Sequence, residues 1–254
     1  MDTTAHNLID DVWNALKEVT DPELDEPLTA LGFVREVRCR QNSVQVTLAL
    51  PTYWCAPNFA YLMMEDLREA IRRLPWVRDI QITLRDHESA DALNQAIDRD
   101  VSFQHAFADA TDDLAPLRRA FAEKAFYARQ KRWLDAIQAA THTSAKDWTP
   151  GRVKDVEEWA LAHPSVAPLW RRYQASAVRQ GVDLLSPDAP VVVDGQGRPI
   201  MPDVWERHWR YLSLITLNMD ANAHLCRGLF GARYDPGRPR PSIPGPLAPK
   251  QATD

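Results

Sequence analysis

The sequence predicts a small α+β domain, a two-layer α/β unit, followed by a mainly α-helical extension. Three observations predict it. An α-β-β-α-β order of periodicities fills the first ninety residues. Apolar residues then recur at helical spacing from about residue 91 to 234. Finally, six prolines crowd the segment from Asp235 to the end. The expected division is therefore an α/β domain over 1–90, a helical domain or extension over 91–234, and a Pro-rich tail over 235–254.

Leu8, Ile9, Val12, Trp13 and Leu16 share one helical face and predict the first helix. Thr20-Asp21-Pro22-Glu23 breaks it, because proline lacks the amide a helix needs. Val34–Arg40 and Ser43–Leu50 read as strands. In the second, Val44, Val46, Leu48 and Leu50 alternate onto one side. Gln41-Asn42 is the turn of a hairpin between them. A helix from Pro57 to Leu74 carries Phe59, Leu62, Met63, Leu67, Ala70, Ile71 and Leu74, and Pro75 stops it. Val77–Leu84 is the third strand. The strand–helix–strand unit crosses over right-handed, so strands two and three are expected to be parallel.

Beyond residue 90 the stripe Leu114, Leu117, Phe121, Ala125 continues through Phe126, Trp133, Leu134 and Ile137. A second helix is expected after Thr149, with Pro150 at its first position. Another spans Val166–Val178, and a long one runs over Asp203–Leu229. Val191–Gly195 reads as a short extended stretch. The tail is expected to be extended, or laid against a partner.

Composition narrows the function. The net charge of −5 offers no basic excess for phosphates, which argues against a nucleic-acid partner. No apolar run reaches the ~20 residues a membrane helix needs, and the start lacks a secretory signal pattern. No membrane association and a cytoplasmic location are the expectations. Three cysteines, Cys39, Cys55 and Cys226, form no Cys-x-x-Cys pair and cannot supply a four-thiolate cage. Any cluster must be shared with a partner, bridged by a homodimer, or completed by oxygen or nitrogen ligands.

Cys55 is the leading candidate. It lies in Leu50-Pro51-Thr52-Tyr53-Trp54-Cys55-Ala56-Pro57, between a strand end and a helix start. Helix N-termini favour anions, and a thiolate is the form that ligates soft metals or attacks electrophiles. Thr52 offers a supporting hydroxyl. The bland alternative is a small apolar plug. Asp21 and Glu23 are candidate metal ligands beside Cys55, or simply a helix-start cap. Asp86-His87-Glu88 reads as a solvated strand end with weak ligand potential. Asp220 and His224 share a helical face, but no Glu-x-x-His motif supports a carboxylate-bridged iron pair. Cys39 and Cys226 read as packing residues.

Three motifs in order carry a resemblance: Asp21-Pro22-Glu23, then Leu31-Gly32-Phe33-Val34, then Thr52-Tyr53-Trp54-Cys55-Ala56-Pro57. On these, residues 5–87 resemble the PaaD/SufT-like family of iron–sulfur (metal–sulfur) cluster assembly proteins. Here Ala56 separates the cysteine from its proline, and an aromatic pair precedes it. The resemblance implies a reactive, cluster-handling role for Cys55. It also implies an accessory or maturation function, more an assembly factor than an enzyme, with an iron or iron–sulfur cluster carried transiently. The implied partner is a client metalloenzyme or iron–sulfur protein. The long extension suggests a dedicated client, such as a multicomponent oxygenase. The competing reading is a chaperone-like subunit of a metalloenzyme with no metal chemistry of its own.

Overall fold

The computed structural model describes residues 3–107 and 113–235, with side chains from residue 8 onward. Helix α1 (Thr3–Lys17) leads into the turn 20–27. Strands β1 (Val34–Arg40) and β2 (Ser43–Ala49), helix α2 (Pro57–Arg72) and strand β3 (Asp79–Arg85) follow. This is the expected α-β-β-α-β order. The sheet order is β1-β2-β3, antiparallel between β1 and β2 and parallel between β2 and β3. Gln41, at the hairpin turn, adopts φ 52°, a left-handed conformation suited to a tight reversal. Alternation puts Val44, Val46 and Leu48 of β2 into the core, where Leu16 of α1 and Leu67 and Ile71 of α2 cover them.

The remaining elements are α3 (Ala90–Asp98), α4 (Phe103–Ala106), α5 (Ala115–Thr141), a 3-10 turn (Ala145–Trp148), α6 (Val153–Ala162), α7 (Ala167–Arg179) and α8 (Trp205–Tyr234). The continuous apolar stripe expected from residue 114 onward lies on one 27-residue helix, α5. Pro150 is not at a helix start. It lies in a turn closed by the Gly151 amide donating to Trp148 O; Gly151 then accepts from the amide of Val191 and Val153 donates to Ala189, so α6 begins only at Val153. Asp155 then caps the amide of Arg152 at 2.9 Å, which opens α6. The tail expected over 235–254 lies outside the described residues from 236 on.

Two hydrophobic cores result. One gathers α1, the sheet, α2 and Leu93, Ala96 and Ile97 of α3. The other is aromatic. Trp133 stacks on Tyr173 at 5.6 Å and meets Trp170 at 4.9 Å. Helix α8 serves both: Trp205 and Leu212 enter the second core, while Ala223 and Phe230 enter the first. Among the described residues no helix is long and apolar enough to cross a membrane.

Candidate functional site around Cys55

The turn 20–27 organises itself first. Asp21 Oδ1 accepts the amides of Glu23 at 2.8 Å and Leu24 at 2.9 Å, an Asx-type turn rather than a helix start. Asp21 is buried. That burial outweighs the two amide donors and pushes its carboxyl up to about 6, with the charges of Glu23 and Glu26 adding in the same direction.

Cys55 lies just outside α2, whose N-cap is Ala56 and whose first residue is Pro57. Its sulfur and the Thr52 hydroxyl are 3.1 Å apart. The loop backbone is tied down at three carbonyls. Arg233 of α8 donates to Leu50 O at 3.2 Å. The amide of Glu88 donates to Tyr53 O at 2.9 Å. His87 Nε2 meets Cys55 O at 2.6 Å. His87 Nδ1 accepts the amide of Ser89, so the proton sits on Nε2, which is the donor to Cys55. With these three carbonyls occupied, the loop holds the thiol in a defined place. Tyr53 and Trp54, 51% and 70% exposed, flank it as uncovered aromatic surface.

Within Asp86-His87-Glu88, Asp86 and Glu88 are exposed, as expected of a strand end, and His87 is the exception. His87 is 5% exposed and serves as a clamp on the cysteine loop. Asp86, at φ 56°, turns its carbonyl to Arg233 and its carboxylate to the Tyr234 hydroxyl at 3.2 Å.

Helix α8 closes the other side. The Asn222 amide reaches Glu23 Oε1 at 3.4 Å, and Arg227 pairs with Glu26. Phe230 packs on Phe33 with ring centroids 5.2 Å apart. Gly32, at φ 78°, is the position that lets this ring approach: a β-carbon there would stand 3.3 Å from Phe230 Cε1. Cys226 lies on this face, half-buried, within electrostatic reach of Asp21, Cys55 and Glu23. Burial first, and those three groups after it, push its thiol up to about 11.

Of the residues nominated from sequence, Cys55 and Thr52 come together directly. Asp21 spends one oxygen on its own turn, and Glu23 faces Asn222. Among the described residues, no group of three His, Cys, Asp or Glu side chains is arranged to hold a metal ion. Asp220 is paired to Arg132 at 2.9 Å rather than with His224. The residues that sequence spacing missed are His87, Arg233 and Cys226. His87 and Arg233 meet their partners 32 and 183 positions away along the chain, so local periodicity carries no trace of them.

Residues 9–84 match the family model described as iron–sulfur cluster assembly protein. Over 73 residues the chain is 33% identical to an iron–sulfur cluster carrier protein of Synechocystis, covering 29% of this chain and 20% of that protein. Over 89 residues it is 27% identical to an uncharacterised protein of Methanocaldococcus jannaschii, covering 35% of this chain and 92% of that one. The chain thus spans only a fifth of the cyanobacterial carrier's length, and both matches span about a third of this chain or less.

Proposed function

We propose, from the match of residues 9–84 to the iron–sulfur cluster assembly protein family model, that this protein receives iron, or an iron–sulfur unit, at Cys55 and passes it to a client protein. The observation that carries the reading is the Cys55 thiol beside the Thr52 hydroxyl, on a loop with three carbonyls tied to distant parts of the chain. A thiolate is a good ligand for iron, and a neighbouring hydroxyl supports its negative charge. One protein thiolate leaves most coordination positions of a cargo metal open. That suits transfer and does not suit storage.

The client docks on the aromatic surface of Tyr53 and Trp54 and on the helical extension beside it. Exposed aromatic side chains of this kind are common anchors in interfaces. A dedicated client, such as a multicomponent oxygenase, fits an extension longer than the family domain itself.

Anaerobic reconstitution of the full chain with iron and sulfide tests the first half. A visible chromophore is expected, and Cys55→Ala should abolish it. Affinity purification from the native cell tests the second. A small set of metalloenzyme subunits should be recovered, and less of it with Cys55→Ala. A colourless wild-type protein that still captured its client tightly would favour a chaperone-like subunit instead.

A further inference from the structure

Helix α8 is apolar on two opposite sides. Trp205, Leu212, Met219, Ala223 and Phe230 are buried on one. On the other, Leu214, Leu217, Leu225 and Leu229 are 67%, 68%, 59% and 41% exposed. Tyr211, Leu214, Asn218, Ala221, Leu225 and Gly228 recur there at alternating steps of three and four residues, which is the seam of a coiled coil. The seam carries no charge, and Leu217 and Leu229 widen it. From Tyr211 to Leu229 it runs about 27 Å, at a width of about 10 Å. A continuous apolar patch of about 300 Å² on an exposed face marks a contact surface.

We propose that this seam docks a second copy of this chain, α8 against α8, antiparallel about a two-fold axis between positions 219 and 220. The inference stands apart from the Cys55 reading. In such a pair residue i meets residue j and j meets i. Tyr211 then faces Gly228 of the second copy, Leu214 faces Leu225, and Asn218 faces Ala221. A large side chain meets a small one, or leucine meets leucine, in each layer. A β-carbon at Gly228 would meet nothing within 4 Å, so the surface above it is open to a tyrosine ring. A parallel pair would set Gly228 on Gly228 and leave a gap.

Charge at the ends of the seam selects the same arrangement. Arg207 and Arg210, both exposed, stand four residues before Tyr211 and Leu214 and so continue its line. Antiparallel pairing brings them to Asp235 and the negative C-terminal end of the opposite α8. The Arg233 of that end is turned onto its own Leu50 and Asp86 carbonyls. Parallel pairing would set the arginines of the two copies against each other. A stable dimer buries about 800 Å² per partner, so a seam of this size predicts a reversible, concentration-dependent one.

Sedimentation of the full chain under reducing conditions tests this over about 1–100 µM, a range suited to an interface below the standard size. The wild-type mass should rise with concentration from 28.9 kDa towards twice that value. Leu214→Glu and Leu225→Lys should each weaken association roughly tenfold or more, because a symmetric pair contains each change twice. Combined in one chain, the two changes oppose unlike charges in the antiparallel register, and association should return close to wild type. In a parallel pair they would oppose like charges. Melting temperatures should stay at the wild-type value throughout, since both leucines are exposed in the single chain.

A wild type that remains at 28.9 kDa at the highest concentration overturns the proposal. If Leu214→Glu then weakens client capture, the seam belongs to the client. If it instead speeds proteolysis within residues 236–254, the seam belongs to that segment. A dimer indifferent to both single changes also overturns it. So does a double variant as dissociated as its single parents, because the two-fold antiparallel register requires the rescue.

Discussion

Arg129 of α5 lays its guanidinium along both oxygens of the Asp25 carboxylate, Nε standing 3.1 and 3.0 Å from them. Asp25 belongs to the turn 20–27 of the family domain, at φ 54°, and its side chain is 1% exposed. Arg132 adds a contact at 3.2 Å, and Arg172 donates to the Asp25 carbonyl at 3.2 Å. The turn carrying Asp21 and Glu23 is thus gripped by helices that the family match does not reach. A buried carboxylate needs such partners, because an unpaired charge inside a protein is costly.

Arg129→Met leaves that carboxylate with Arg132 as its main partner. A loss of about 3 kcal/mol in urea unfolding is expected, near the low end for breaking a buried pair. The loss should fall on the coupling between the two cores, so tryptophan fluorescence, dominated by the second core, should separate from the far-UV signal. A single unchanged transition would contradict this.

The packing of α8 on the family domain is testable at Gly32. Gly32→Ala forces an alanine to φ 78° and brings its β-carbon to 3.3 Å from Phe230. The backbone cost alone is about 1–2 kcal/mol. A lowered melting temperature is expected, with faster proteolysis near residue 230. Phe230→Ala should cost more, about 3 kcal/mol, by opening a cavity against Phe33.

Acid should destabilise the second core through His208. Its Nε2 is 2.6 Å from Gln130 Oε1. The Gln130 amide nitrogen donates to Tyr173 and Val193, so the histidine must be the donor. Burial lowers its pKa from 6.5 to about 4, with Asp194 opposing weakly. Between these values the unfolded chain holds a proton that the folded one does not, so stability falls as pH drops from 6.5 towards 4. After allowance for partial solvent access, the loss is on the order of 2 kcal/mol. His208→Gln should flatten that part of the pH–stability curve. An unchanged slope would place the acid sensitivity elsewhere.

Thr52→Val removes the hydroxyl 3.1 Å from the Cys55 sulfur. One hydrogen bond to an ionised sulfur is worth about 1.5 kcal/mol, roughly a tenfold effect. Alkylation of Cys55 by iodoacetamide at neutral pH should slow by several-fold to tenfold, with little change in melting temperature. Equal rates would remove Thr52 from the site.

Trp54→Ser separates docking from folding. At 70% exposure the indole contributes little to stability, within about 0.5 kcal/mol. Client capture should nonetheless weaken, while the chromophore formed on reconstitution with iron and sulfide stays as in wild type. Undiminished capture would move the docking surface off the cysteine loop.

The sequence by itself determined the elements of the N-terminal α/β domain and the position of Cys55 between a strand end and a helix start. Alternation in β2, the helical stripe of α2 and the proline breaks are local patterns, and local patterns follow from the two side-chain periodicities of helix and strand. The loop around Cys55 was legible for the same reason, as a short segment between a strand end and a helix start. Only the tertiary structure decided what surrounds it. Contacts of His87, Asn222 and Arg233 with the cysteine loop and the turn 20–27 join residues 32 to 199 positions apart. No spacing rule links such positions, because the path of α8 is set by two cores at once. The burial of Asp25 among arginines and of His208 beside Gln130 likewise depends on helices meeting far from each other in the chain.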